Sequence, residues 1–252
     1  MYDFVAKKPY GHLDTLVASR RPKAVMSSGR TKDELRILTP IGQLGQGWSE
    51  QIFWETLESG IDAIIIDGGS TDSGPGRLAL GKPNVPRSRL AKDIGTLAKA
   101  CHLYNIPVLI GSAGGDGENA LVDMCVQLVH EAVTTNRLRP MKVISIYSDI
   151  SKDLVRQKFK DDLITPCGEA VPDLTEHDIA TSTRIVAQMG LEPYLHAMQN
   201  NPGFDIIIGG RAFDPSPYAA FCCYHGFEDM GKFFFQTLLH HSGRICALSC
   251  VY

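Results

Sequence analysis

No two cysteines of this chain stand at C-x-x-C spacing. The seven present (Cys101, Cys125, Cys167, Cys222, Cys223, Cys246 and Cys250) are scattered and odd in number. That pattern points away from a thioredoxin-type centre and from a cysteine zinc site, and reads as free thiols in a reducing, cytoplasmic compartment. The eight histidines offer no H-x-x-x-H pair on one helix, so no metal site is expected from them. No apolar run approaches the roughly 20 residues that a membrane-crossing helix needs. The opening residues, Met1-Tyr2-Asp3-Phe4-Val5-Ala6-Lys7-Lys8, lack the uninterrupted apolar stretch of a secretory signal. Basic charge is not in excess either. With 25 Lys and Arg against 28 Asp and Glu, the net charge of −3 argues against nucleic acid as the main partner.

What remains is an ordinary globular composition, 44% apolar and 21% charged over 252 residues, enough for one large α/β domain with extensions. Residues 1–33 are polar, basic in patches and without a sustained period, and read as an N-terminal arm. Strands are expected at 35–40, 62–66, 106–110, 142–147 and 205–208. Helices are expected at 49–59, 88–104, 118–135, 151–160, 175–189 and 191–200, with 161–173 looser. Ser49 ahead of an amphipathic run is a plausible N-cap, and Thr175-Glu176-His177-Asp178 has the form of a capping box. The strands are almost wholly apolar rather than alternating, as when both faces of a sheet are covered. Strands separated by helices imply parallel pairing through right-handed crossovers. The expected fold is a three-layer α/β sandwich with a mostly parallel sheet and glycine-rich loops at the strand C-terminal ends.

Three strand ends carry the chemistry. The most informative is Asp67-Gly68-Gly69-Ser70-Thr71-Asp72-Ser73-Gly74-Pro75-Gly76, where two carboxylates, three hydroxyls and four glycines follow Ala63-Ile64-Ile65-Ile66. Open α/β sheets place their ligands at such ends. Asp67 can cap the turn, whereas Asp72 can serve as a general acid or base, or the pair can hold a divalent ion. Ser70, Thr71 and Ser73 can bond a carboxylate or phosphate, but Gly68-Gly69-Ser70-Thr71 lacks the G-x-S-x-G spacing of a nucleophilic serine. Ile110-Gly111-Ser112-Ala113-Gly114-Gly115-Asp116-Gly117 leads into a helix start, which either receives an anion or is a tight turn requiring glycine. It is neither the GxxxxGK[ST] phosphate loop nor a full GxGxxG fingerprint. In Ile206-Ile207-Ile208-Gly209-Gly210-Arg211-Ala212-Phe213-Asp214, the Arg211 guanidinium can grip an anionic ligand, or pair internally with Asp214, Asp67 or Asp72. The catalytic candidates are therefore Asp72, Asp67 and Arg211. The substrate-binding candidates are Gly69, Ser70, Thr71, Ser112, Gly114, Gly115 and Asp214.

With these segments in order, the chain resembles the acyclic terpene utilisation family (AtuA-like proteins, a domain of unknown function). The resemblance is carried by Arg36-Ile37-Leu38-Thr39-Pro40-Ile41-Gly42, by the Asp67–Gly76 stretch and by Ile110-Gly111-Ser112-Ala113-Gly114-Gly115. It continues through Val186-Ala187-Gln188-Met189-Gly190-Leu191-Glu192-Pro193 and Gly209-Gly210-Arg211-Ala212-Phe213-Asp214-Pro215. It covers about residues 35–232 and corresponds to the family's N-terminal portion. The domain is accordingly drawn at residues 34–232. Where the family runs on from a segment like Met230-Gly231-Lys232, this chain turns to Phe233-Phe234-Phe235-Gln236. Residues 233–252 are therefore expected to be an atypical tail from a truncated or mis-spliced frame, which the transcript sequence across Lys232 would test.

The resemblance implies a role in breaking down branched acyclic terpenoids, which proceeds through acyl-CoA esters. The expected activity is a lyase, hydratase or isomerase type of acid–base chemistry on a small branched carboxylate or acyl-CoA ester. No sequence feature selects among the three. Cofactors are left open, from none to a divalent metal at Asp67 and Asp72. The expected partners are that ligand and a second copy of the chain in a homo-oligomer, with no nucleic acid and no membrane. A non-catalytic ligand-binding subunit of a larger complex, or an inactive truncated remnant, are the other readings.

Overall fold

In the computed structural model of the protein, residues 34–69, 76–227 and 245–249 are described. The arm at 1–33 and the loop residues Ser70, Thr71, Asp72 and Ser73 lie outside them. The chain runs β1 (Leu35–Thr39), α1 (Glu50–Glu58), β2 (Ala63–Asp67), α2 (Gly76–Leu80), α3 (Arg87–Tyr104), β3 (Val108–Gly111), α4 (Asn119–Thr135) and β4 (Val143–Ile146). It continues with α5 (Lys152–Lys160), α6 (Glu176–Thr181), α7 (Glu192–Asn200), β5 (Ile206–Gly209), α8 (Ser216–Tyr224) and β6 (Ile245–Ser249). The six strands form one sheet in the order β4-β5-β3-β2-β1-β6, every pair parallel. This is the three-layer α/β sandwich expected from the apolar strand runs. β6 belongs to the segment after residue 232 and extends the sheet beside β1.

Strand alternation divides the core in two. Ile64, Ile66, Val108, Ile110, Ile206 and Ile208 pack with Phe53 and Leu57 of α1, Leu90, Ile94 and Leu97 of α3, and Val122, Leu128 and Val129 of α4. The intervening Ala63, Ile65, Leu109 and Ile207 pack with Tyr194 and Met198 of α7 and with Ala220 and Phe221 of α8. Each Val, Leu, Ile, Phe or Met side chain among them, buried from water, contributes about 1.5–3 kcal/mol. Having two buried faces is the reason these strands carry no polar alternation.

Side-chain caps set three of the helix starts among the described residues. The Ser49 side chain accepts from Ile52 N at α1, and that of Ser151 accepts from Leu154 N at α5. The capping box at Thr175 and Asp178 is present with both reciprocal bonds. The helix it starts is shorter than the sequence suggests. α6 ends at Thr181 and Ser182 is extended, so the helix expected over 175–189 forms only in its first part. Thr181, Ser182, Thr183, Ile185 and Val186 are modest helix formers. Their backbone instead bonds to strand-end loops: Ile150 N to Ile185 O at 2.8 Å, Ala187 N to Ser148 O at 2.7 Å, and Met189 N to Arg211 O at 3.0 Å. The segment thus crosses the carboxyl edge of the sheet, beside the candidate loops.

Candidate active site

Parallel strands bring the ends of β2, β3, β4 and β5 to one edge. Asp67 pairs in register with Gly111, Ile110 with Ile208, and Gly209 with Ile146. Asp67, Gly111 and Gly209 therefore lie in one row across the sheet. By the alternation that turns Ala63 and Ile65 toward α7 and α8, Asp67 projects to that same face.

The loops beyond these strands are clasped together through their backbones. Ser112 adopts a positive φ of 45°, and its buried hydroxyl donates to Ala212 O at 3.2 Å and accepts from Ala212 N at 3.3 Å. The Ser148 hydroxyl donates to Gly117 O at 2.7 Å and accepts from Arg211 N at 2.9 Å. Gly115 has a φ of +114°, and a side chain there would run into the Asn84 amide. A Cβ on Gly69 would in turn strike the Gly115 backbone, so the β2 and β3 loops touch main chain to main chain. Gly114 O accepts from Asn84 N at 2.8 Å, which fastens the turn after α2 to the same loop. Of the substrate-binding candidates, Gly69, Ser112, Gly114 and Gly115 are thus brought together as one wall. The Ser112 hydroxyl is engaged within that wall by both its proton and a lone pair.

Two charged candidates stand at this wall. The Arg211 side chain is buried, and Nη1 donates to Gly115 O at 3.0 Å. Asp67 is half-buried, its Oδ1 fully enclosed and without a hydrogen-bond partner among the described residues. Burial pushes the Asp67 carboxyl up to about 7, and Asp214 adds to the rise; the Gly69 and Gly68 N–H groups and Arg211 oppose it. Asp214, exposed ahead of α8, therefore acts on Asp67 through its field. As a turn-capping acid Asp67 does accept from backbone N–H groups, yet these do not hold it in the ordinary carboxylate range. No ion pair joins Arg211 to Asp67 or Asp214 among the described residues.

Four further groups were not legible as site residues. Tyr218 of α8 donates to Ile65 O at 3.1 Å and shares a 2.9 Å hydroxyl contact with Thr39 at the end of β1. Tyr194 of α7 is fully buried, and its hydroxyl has no partner among the described residues. Asp67 is among the groups that raise both phenols, after burial in each case. Asp116 is buried with an unpartnered Oδ2, its carboxyl raised by burial while Arg211 draws it back down. Glu118, also buried, forms an ion pair with Arg184 of the crossing segment. Asp116 and Glu118 sit inside or beside a loop the sequence marks out. The tyrosines belong to helices whose apolar spacing reads as plain core.

Among the described residues, no group of three or more His, Cys, Asp and Glu side chains is placed to hold a metal ion, and no helix is long and apolar enough to cross a membrane. Set beside known proteins, the chain matches no family model and no curated protein.

Proposed function

We propose that the protein is a cytoplasmic enzyme of the lyase, hydratase or isomerase type, acting on a small branched carboxylate or acyl-CoA ester as the AtuA-like resemblance implies. The observation that carries this reading is Asp67: a half-buried carboxyl at a strand end, pushed up to about 7, with an enclosed oxygen that no described residue bonds. A group titrating near neutrality is matched to proton transfer in both directions. All three reaction types remove or deliver a proton at a carbon near a carbonyl. The electron pair left behind moves onto the carbonyl oxygen and returns when carbon is reprotonated. Arg211, buried beside the glycine wall, supplies fixed positive charge for the substrate's anionic part, and Asp72 stands as the second acid–base candidate on the loop after Asp67.

The test is deuterium exchange at the carbon next to the carbonyl, followed by NMR with isobutyryl-CoA in deuterated buffer. Exchange should be enzyme-dependent and fall by about 100-fold or more in Asp67→Asn, the usual range for losing a general acid–base group. Exchange at the wild-type rate in that variant would sink the assignment of Asp67.

A further inference from the structure

The Tyr194 ring lies directly against Gly209, where any side chain would collide with the ring and its hydroxyl. The hydroxyl also lies 3.7 Å from where a Cβ on Gly111 would stand. Two adjacent strands thus each end in glycine along one row, and the phenol lies over that gap on the α7–α8 face. The next residue in the row is Asp67, the register partner of Gly111, on the same face and one strand spacing of about 4.8 Å away. Its Oδ1 and Tyr194 Oη are both enclosed, and neither has a hydrogen-bond partner among the described residues. Buried polar atoms in native proteins are almost always bonded, and one partner shared by two orphans on the same face at neighbouring positions accounts for both.

We propose that Tyr194 Oη and Asp67 Oδ1 form a two-point seat for a single oxygen atom, occupied during turnover by the carbonyl oxygen of the acyl substrate. The identity of that occupant rests on the acid–base reading above; the seat itself does not. Burial raises the Tyr194 phenol, so it stays a donor throughout the neutral range. Asp67 in its protonated form is a second donor, and two donors aimed at one carbonyl oxygen stabilise the negative charge it gains when the neighbouring carbon gives its proton to the second acid–base candidate, Asp72. Asp67 then shares its own proton with that oxygen and takes it back as the carbon is reprotonated. Below neutrality Asp67 donates to the seated oxygen; above it the carboxylate accepts instead, and an anionic oxygen is disfavoured. The other groups acting on Asp67 are Asp214 and Arg211 from the β5 loop and the Gly69 and Gly68 N–H groups, and Asp67 in turn raises the Tyr218 phenol of α8.

A high-resolution crystal structure of the full chain at neutral pH tests the seat. One ordered oxygen is expected within hydrogen-bonding distance of both atoms. A direct Tyr194–Asp67 bond, a side chain from residues 70–75 in that position, or no density between the two would overturn the proposal. Tyr194→Phe preserves the ring, and removing its donor should raise the Asp67 titration midpoint, read from the carboxyl carbon by NMR. An unmoved midpoint would reduce Tyr194 to packing and overturn the seat. Exchange on isobutyryl-CoA tests the occupant: Tyr194→Phe should slow it by about 100-fold, as losing one such donor does. Wild-type exchange left unslowed overturns the carbonyl assignment alone, while no exchange in the wild type overturns it together with the acid–base reading, the crystallographic seat still standing.

Discussion

Asp93 of α3 holds Gly45 across the top of β1: its carboxylate accepts from Gly45 N at 2.8 Å and from Gly47 N at 3.3 Å. Both glycines have positive φ, 96° and 78°, so the loop between β1 and α1 curls around this one buried acid. Leu44 N in the same loop donates to Asp67 O at 2.9 Å, so the turn that Asp93 holds also borders the candidate site. Asp93→Ala would leave the buried Gly45 N–H without its acceptor, a loss of about 1–3 kcal/mol. Urea unfolding should show that loss, and Asp93→Asn, which retains an acceptor oxygen, should recover part of it. Equal midpoints for wild type and Asp93→Ala would show that the tie contributes nothing.

Asp67 makes stability depend on pH in a specific direction. Its carboxyl rises from 3.8 to about 7 on folding, chiefly through burial, so between those values the folded state binds the proton and the unfolded state does not. The stabilisation is fully present below 3.8 and is lost as pH rises through about 7, on the order of a few kcal/mol in all. Melting temperature should therefore decline more steeply from pH 4 to 8 in the wild type than in Asp67→Asn. Parallel curves for the two would contradict the raised carboxyl.

Gly209→Ala puts a methyl group into the Tyr194 ring. Overpacking of this kind costs about 1–3 kcal/mol, more where the backbone cannot yield. Tyr194→Ala in the same chain should remove the clash and make the pair of substitutions less than additive. Strict additivity in thermal melts would show that the two residues are not in contact.

Asp205 anchors the far end of the sheet. Its Oδ1 pairs with Arg139 Nη2 at 2.8 Å, its Oδ2 accepts from Lys142 N at 2.7 Å, and the acid is buried. Asp205→Ala leaves the Lys142 N–H without its acceptor and removes the carboxylate partner of Arg139, which is partly exposed and keeps its bond to Asn105, so it should cost about 1–3 kcal/mol. Arg139→Ala should cost less, because Asp205 keeps its backbone donor. Chemical denaturation of both variants settles the order, and a larger loss in Arg139→Ala would reverse this account.

Several elements were legible because their causes are local. Short β-branched runs such as Ile206-Ile207-Ile208, followed at once by Gly209-Gly210, read as strands with both faces covered. Ser49, Ser151 and Thr175 mark helix starts because their hydroxyls bond N–H groups a turn ahead. The same local reading overshoots at 175–189, where a capping box opens the helix but strand-end loops take over the backbone bonds after Thr181. Asp67 and Arg211 stood out as residues following buried strands. Asp93 did not, since a lone acid on an amphipathic helix reads as a solvated face.

By itself the sequence determined the layered fold and the edge of the sheet where polar, glycine-rich residues gather, since strand and helix periods and turn chemistry act over a few residues. Only the tertiary structure decided that Asp67, Gly111 and Gly209 share a row, and that Tyr194 lies over its glycines. Those relationships depend on strand order, register and helix packing, which bring Asp67 into one row with Gly209, 142 residues further along the chain (209 − 67). The raised Asp67 carboxyl arises the same way, from burial by surroundings that assemble only when the chain folds.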